Sequence, residues 1–284
     1  MTKVIILGSD GMVGAEVLCT LKVMGLEVLG TSRRNTDSSK IFFNAVYANL
    51  NETFKKYGAE LIFINCIGLI RHKIEPNNTD LAWELNSAYP KRLAQYCKDA
   101  HHKLINICTD CVYSGKSGNY SENSKPDPVD LYGLSKSDGE SRNESVLNIR
   151  TSIVGPEKNT ALELFSWVLN QAKNQKLLGY VNHNWNGITS LALAKLLGSI
   201  ILNNQFVSGN IHIIPANKLN KYELITKIAQ FAGRSDLIIE PHSTNISVDR
   251  TLSTVDPDRN NTFWHLAGYS KIPKIEELLL EVLS

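Results

Sequence analysis

Long apolar runs are missing from this chain of 284 residues. None approaches the roughly 20 residues that a membrane-crossing helix needs. The opening "MTKVIILGSDGMVG" has only a short apolar run before its glycines. A secretory signal needs a longer apolar segment and a small-residue cleavage site, so a cytoplasmic protein is expected, with no membrane partner. An excess of one charge is also missing: 30 basic against 28 acidic residues leave +2. That argues against a nucleic-acid or anionic-membrane surface, though one small anionic ligand is compatible with it. Cysteine is scarce and odd in number: Cys19, Cys66, Cys97, Cys108 and Cys111. In a large chain without a signal this points to reduced thiols. Cys108 and Cys111 form a C-x-x-C, but no second ligand pair follows at short spacing, so no metal is expected. Small side chains at a strand end explain the pair better than a redox motif does. Internal repeats and low-complexity tracts are absent as well.

What is present is an alternation. "KVIILG" (3–8), "GLEVLGTS" (25–32), "AELIFINCIG" (59–68), "KLINICTD" (103–110) and "SVLNIRTSIVG" (145–155) are short apolar runs rich in Ile, Val and Leu. Such runs suit strands covered on both faces. Residues 12–24 and 79–99 between them carry Val13, Val17, Leu18, Leu21 and Leu81, Leu85, Leu93, Tyr96 at helical spacing. Strand and helix in alternation predict an α/β fold, a Rossmann-type doubly wound parallel sheet. Beyond about residue 155 the pattern loosens into helical stretches at 160–173, 189–203 and 220–232 and the amphipathic tail "IPKIEELLLEVL". The expected organisation is a dinucleotide-binding part over 1–155. A smaller mixed α/β, mainly substrate-binding part covers 156–284, with some segments free to return to the first. Ligands in such folds sit at the carboxyl ends of the strands.

Gly8, Gly11 and Gly14 follow the first strand and open the first helix. Gly8 allows the tight turn, Gly11 lets the backbone approach a pyrophosphate, and Gly14 lets helix and strand pack closely. The pyrophosphate would rest on free N–H groups at the helix start, around Met12 and Val13. A cofactor with a free ribose hydroxyl usually meets an acid at the end of the second strand. Here Thr31 and Ser32 stand there, followed by Arg33 and Arg34. Arginines clamp a 2′-phosphate, whereas a carboxylate would repel it. NADPH is therefore expected, with NADH as the open alternative. Asn49 and Leu50 lie near a further strand end, where Asn49 is placed to bond an adenine amino group. The backbone at Cys66, Ile67 and Gly68 is placed along the ribose.

Tyr132 and Lys136 in "LYGLSKSDGE" are four apart and share one helix face. A phenol is mostly protonated at neutral pH and can donate to a carbonyl oxygen, and a nearby ammonium would lower its pKa. Alone the pair is ordinary, since Lys136 has Glu140 at i+4 for a helical ion pair. The set "GSDGMVG", "NCIG", "LNSAYPKRLA", "NICTDCVYSG", "YGLSKSDGE" and "RTSIVGPE" resembles the extended short-chain dehydrogenases/reductases, and within them the dTDP-4-dehydrorhamnose reductase branch.

The resemblance implies NADPH-dependent reduction of a nucleotide-linked 4-keto-6-deoxy sugar, in deoxysugar or surface polysaccharide synthesis. Tyr132 would be the general acid, Lys136 would hold the nicotinamide ribose and Thr109 would bond the substrate oxygen. It implies lesser substrate roles for Asn86 and Asp110. The branch's usual S-T-D-Y-V-F reads C-T-D-C-V-Y here, so Cys108 and Cys111 replace a serine and an aromatic that shapes the sugar pocket. Arg71 is carried as a candidate for a substrate phosphate, and Trp185 for stacking on a base or sugar ring. The polar loop 114–130 is long enough to be a binding loop or lid. Two other functions stay open: an NAD-retaining epimerase or dehydratase, and a non-catalytic nucleotide-binding regulator. A homodimer is the candidate assembly.

Overall fold

The computed structural model describes residues 3–34, 37–157 and 163–283. Five apolar runs form the middle of one parallel sheet: β1 (Lys3–Leu7), β2 (Val28–Ser32), β4 (Leu61–Asn65), β5 (Lys103–Cys108) and β6 (Val146–Arg150). The short β3 (Ile41–Phe42) adds one edge and the strand Gly209–His212 the other. The order is Gly209–His212, β6, β5, β4, β1, β2, β3, and every pairing is parallel.

Successive residues of a strand face opposite sides, and here both sides are core. Val4 and Ile6 of β1 pack with Val17, Leu21 and Leu197, while Ile5 and Leu7 pack with Phe54, Phe63 and Leu93. That is why the runs are continuously apolar rather than alternating. Helix α1 (Met12–Val23) and the helix Ser190–Leu202 cover the first side. Helices α2 (Leu50–Phe54) and α4 (Tyr89–Asp99) cover the second.

The expected helix over 79–99 has a break. It runs as α3 (Thr79–Trp83), a π-helical turn Glu84–Ala88 and then α4. Pro90 lies in the first turn of α4, where its missing N–H is tolerated. The expected helix at 160–173 is Leu164–Leu169, and residues 160–162 lie outside the described residues. A helix at Pro257–Leu266, unmarked by a clear apolar stripe, adds Phe263 and Trp264 to the first core.

Two later segments, the strand Gly209–His212 and the helix Ser190–Leu202, lie on the large sheet. The other later elements include the strand pair Lys176–Tyr180 with Ile238–His242 and the helices Leu164–Leu169, Lys221–Phe231 and Ile275–Leu283. They share a separate core of Val154, Phe165, Trp185, Leu224 and Ile228. The chain leaves β1 for β2 on one side and β4 lies on the other, so a crevice opens beyond Leu7 and Asn65.

Candidate active site

The glycine turn is built as its spacing suggests. Gly8 has φ +81°, and its N–H donates to Thr31 Oγ1 at 3.0 Å. A Cβ on Gly14 would lie 2.3 Å from the Gly8 carbonyl oxygen, so α1 can approach the turn only through glycine. Gly11 differs, because a Cβ there would come no nearer than 3.5 Å to protein. The fold does not need that glycine, whereas a close-lying ligand would. Gly11 also caps α1 without a side-chain bond, and no acidic residue occupies the helix's first turn. The first N–H groups, Met12 and Val13 among them, are free for an anion.

At the end of β2, Ser32 donates to Asp10, whose other oxygen takes Lys40 Nζ at 2.6 Å. Burial works to raise the Asp10 pKa, but the bonds from Lys40 and Ser32 outweigh it and hold the carboxyl below its ordinary value. Arg33 and Arg34 are exposed beside this group, and the Arg34 N–H donates to Ser32 Oγ at 3.0 Å. Lys40 leaves no sign in the sequence because it comes from the turn before β3, outside any motif. Asn49 serves the backbone locally, since its side-chain oxygen caps α2 by accepting the Glu52 N–H at 3.1 Å. Leu50 packs against the second core.

The glycine turn reaches the helix that carries Lys136 through the Ile67–Gly68 segment. A Cβ on Gly8 would lie 2.9 Å from Ile67, and one on Gly68 would lie 4.0 Å from Lys136 Nζ. Lys136 belongs to α5 (Leu131–Asp138), which Asp130 caps by accepting the Gly133 N–H at 2.8 Å. Lys136 is buried and donates to the Ile107 carbonyl at 2.8 Å. Gly133 lets the start of α5 press on the Cys111 carbonyl, which brings Tyr132 beside Thr109.

Burial drives the Tyr132 pKa far above its ordinary value, and Cys111 and Asp110 add to the rise. The Thr109 hydroxyl opposes it. The expected lowering by Lys136 is thus corrected: that ammonium is held by the Ile107 carbonyl, and burial dominates. A shift in that direction favours the protonated phenol, which can donate.

The remaining candidates are more mixed. Asn86 is buried in the π-helical turn and clamps Leu69, accepting its N–H at 2.8 Å and donating to its carbonyl at 2.9 Å. It also donates to Ser135 Oγ at 3.1 Å, tying the turn to α5. Asp110 is buried and accepts from Thr109 Oγ1 at 3.2 Å. The Arg71 side chain is 63% exposed and pairs with Asp130 at 3.1 Å. Trp185 is only 3% exposed, donates to Ser152 Oγ at 2.7 Å and carries Lys221 Nζ 5.1 Å over its ring. It is core, with one face already covered.

Loop 114–130 is no free lid. Tyr120 stacks on Tyr113 at 4.4 Å, its N–H donates to the Thr251 carbonyl at 2.9 Å, and Glu122 binds Thr254 and Val255. Its own small core pins it to the second part. Burial pushes the Cys108 thiol up, and pushes Cys111 up to about 12. All five cysteines are free.

Two basic residues join the site from the far part of the chain. Lys221, first residue of the helix Lys221–Phe231, is pushed down to about 8 by burial; Asp110 and Cys111 oppose the shift. Arg250 donates to the Tyr113 carbonyl at 2.9 Å and acts on both Lys221 and Cys111. Neither stands in a recognisable motif, so only the folded arrangement reveals them.

Residues 1–255 match the RmlD substrate binding domain family. The chain belongs to that family. Among curated relatives, it is 29% identical over 156 residues to the probable low-salt glycan biosynthesis reductase Agl14 of Haloferax volcanii, covering 52% of each. It is 30% identical over 142 residues to methionine adenosyltransferase 2 subunit beta of Xenopus laevis, covering 49% of this chain and 41% of that one. The chain thus spans about half the length of the curated relatives it matches. The dTDP-4-dehydrorhamnose reductase of Bacillus anthracis, solved with NADP, superposes with TM-score 0.79 at 19% identity, covering 99% and 98% of the two chains. At that identity the likeness establishes the RmlD-type fold alone.

Proposed function

We propose that this RmlD-family protein reduces a nucleotide-linked 4-keto-6-deoxy sugar with NADPH. The observation that carries the reading is the contact series Gly8–Ile67, Gly68–Lys136 and Thr109–Tyr132, which joins a dinucleotide turn to a protonated phenol. Gly11 and the uncapped start of α1 fit a pyrophosphate. Ser32, Arg33 and Arg34 would receive a 2′-phosphate, with the Asp10 charge matched by Lys40. A reduced nicotinamide held there would supply the hydride for the ketone carbon. Tyr132 gives its proton to the carbonyl oxygen as that oxygen gains charge, with Thr109 bonding the same oxygen. Lys136 lies beside Gly68 to hold the ribose. Lys221 and Arg250 would face the substrate's phosphates. The molecule's place would be in deoxysugar or surface polysaccharide synthesis, in the cytoplasm, as a homodimer. Among the described residues no helix is long and apolar enough to cross a membrane.

The test is NADPH oxidation with a panel of ketosugar nucleotides; failure with every one would sink the reading. A second reading has one observation behind it, the match to a methionine adenosyltransferase beta subunit. A regulatory role of that kind needs nucleotide binding but not the phenol. A Tyr132→Phe protein that keeps its full biological effect would favour it.

A further inference from the structure

Four neighbouring strands beneath the site carry an asparagine at one level. Asn65 of β4 lies opposite Asn106 of β5, Asn106 opposite Asn148 of β6, and Asn148 opposite Asn210. Their side chains bond head to tail. Asn65 Nδ2 donates to Asn106 Oδ1 at 2.9 Å, Asn106 Nδ2 to Asn148 Oδ1 at 3.1 Å, and Asn148 Nδ2 to Asn210 Oδ1 at 2.9 Å. Both ends continue. The Ile67 N–H donates to Asn65 Oδ1 at 3.1 Å, and Asn210 Nδ2 donates to Glu140 Oε2 at 3.1 Å. The ends fix the direction of every amide between them: a backbone N–H only donates and a carboxylate only accepts.

Asn65, Asn106 and Asn148 are 0%, 3% and 0% exposed. Buried amides are costly unless bonded, and Val or Ile would suit these strand positions better. Aligned amides polarise one another, so the chain acts as a unit. It joins two places that matter to the site. One is the Ile67–Gly68 turn, against which Lys136 lies. The other is Glu140, which follows the Gly139 cap of α5 and holds buried Arg150 through Nε at 2.7 Å and a second bond from the guanidinium. The exit of α5 has no slack, because a Cβ on Gly139 would lie 2.0 Å from the Asn86 carbonyl oxygen.

We infer that the asparagine chain is a positioning device that holds the cofactor turn and the Glu140 end of the catalytic helix at one fixed spacing. Its members are positioning residues. Their effect on turnover rests on the reductase reading; their effect on local order does not.

Asn148→Leu interrupts the chain at its middle. It takes the acceptor from Asn106 Nδ2 on one side and the donor from Asn210 Oδ1 on the other, together with the 2.8 Å bond to the Ser141 carbonyl, which Asn210→Leu leaves in place. Hydrogen exchange on the whole protein is expected to quicken at Ile67 and over 136–140 by about tenfold, with β1 amides unchanged. With NADPH and a ketosugar nucleotide, kcat falls about tenfold while both KM values stay within about twofold. A general loss of stability would instead raise exchange evenly across the sheet and leave kcat per folded molecule intact, and that result overturns the inference. If Asn148→Leu does not fold, Asn210→Leu removes only the last rung and the Glu140 bond, and the same local change over 136–140 is required. If the wild type reduces no ketosugar, the reductase reading fails and the exchange pattern still decides this one.

Discussion

The two ends of the cleft are assembled differently. At the proposed dinucleotide end the groups are backbone, set by glycine spacing within one strand–turn–helix unit. Gly8 takes a positive φ, Gly14 admits the helix, and Gly11 leaves open the space where a side chain would stand. At the proposed substrate end the groups are side chains from distant segments. Thr109 and Tyr132 meet through the Gly133–Cys111 contact, and Lys221 and Arg250 arrive from the second part. Local backbone geometry leaves a mark in sequence spacing. Convergence of distant side chains does not.

The largest expected effect lies beneath both ends. Glu140 and Arg150 are 4% and 0% exposed at their side chains. Glu140→Leu leaves a buried guanidinium without its anion and should cost about 3–5 kcal/mol in chemical denaturation. Next comes a contrast inside the glycine turn. Gly14→Ala forces a methyl onto the Gly8 carbonyl and should cost about 3 kcal/mol. Gly11→Ala should leave the melting temperature almost unchanged while weakening NADPH by about tenfold in titration, about 1.4 kcal/mol. Equal destabilisation by both would break the distinction between a fold glycine and a ligand glycine.

The smallest effect is a pH dependence at the substrate end. Burial lowers the Lys221 pKa from 10.5 to about 8. Between those values the unfolded chain holds the extra proton, so this group makes folding stability rise with pH there. Anion binding runs the other way, because the ammonium is lost through the same window. KM for the nucleotide sugar should climb about fivefold over the unit above that pKa. Lys221→Met should flatten the rise; a profile unchanged by the substitution would remove Lys221 from the site.

Much of the fold is legible because β1, β2, β4, β5 and β6 are buried on both faces and so apolar throughout. The edges are not. Ile41–Phe42 is two residues long, and Gly209–His212 sits in a stretch that resembles the second part. Asn49 and Trp185 draw attention for their chemistry, yet a helix cap and a packed core account for both. The asparagines have a visible signal, one asparagine in each of "FINC", "INIC", "LNIR" and "GNIH". Only the strand register shows that they align. The rise in the Tyr132 pKa is hidden for a related reason: the helix spacing reveals Lys136 but not what surrounds the phenol.

Comparing Tyr132→Phe with wild type in single-turnover reduction of a ketosugar nucleotide tests the central claim most directly. The expected result is a fall of about a thousandfold in the hydride-transfer rate with NADPH affinity unchanged. Wild-type turnover without the phenolic hydroxyl would contradict it.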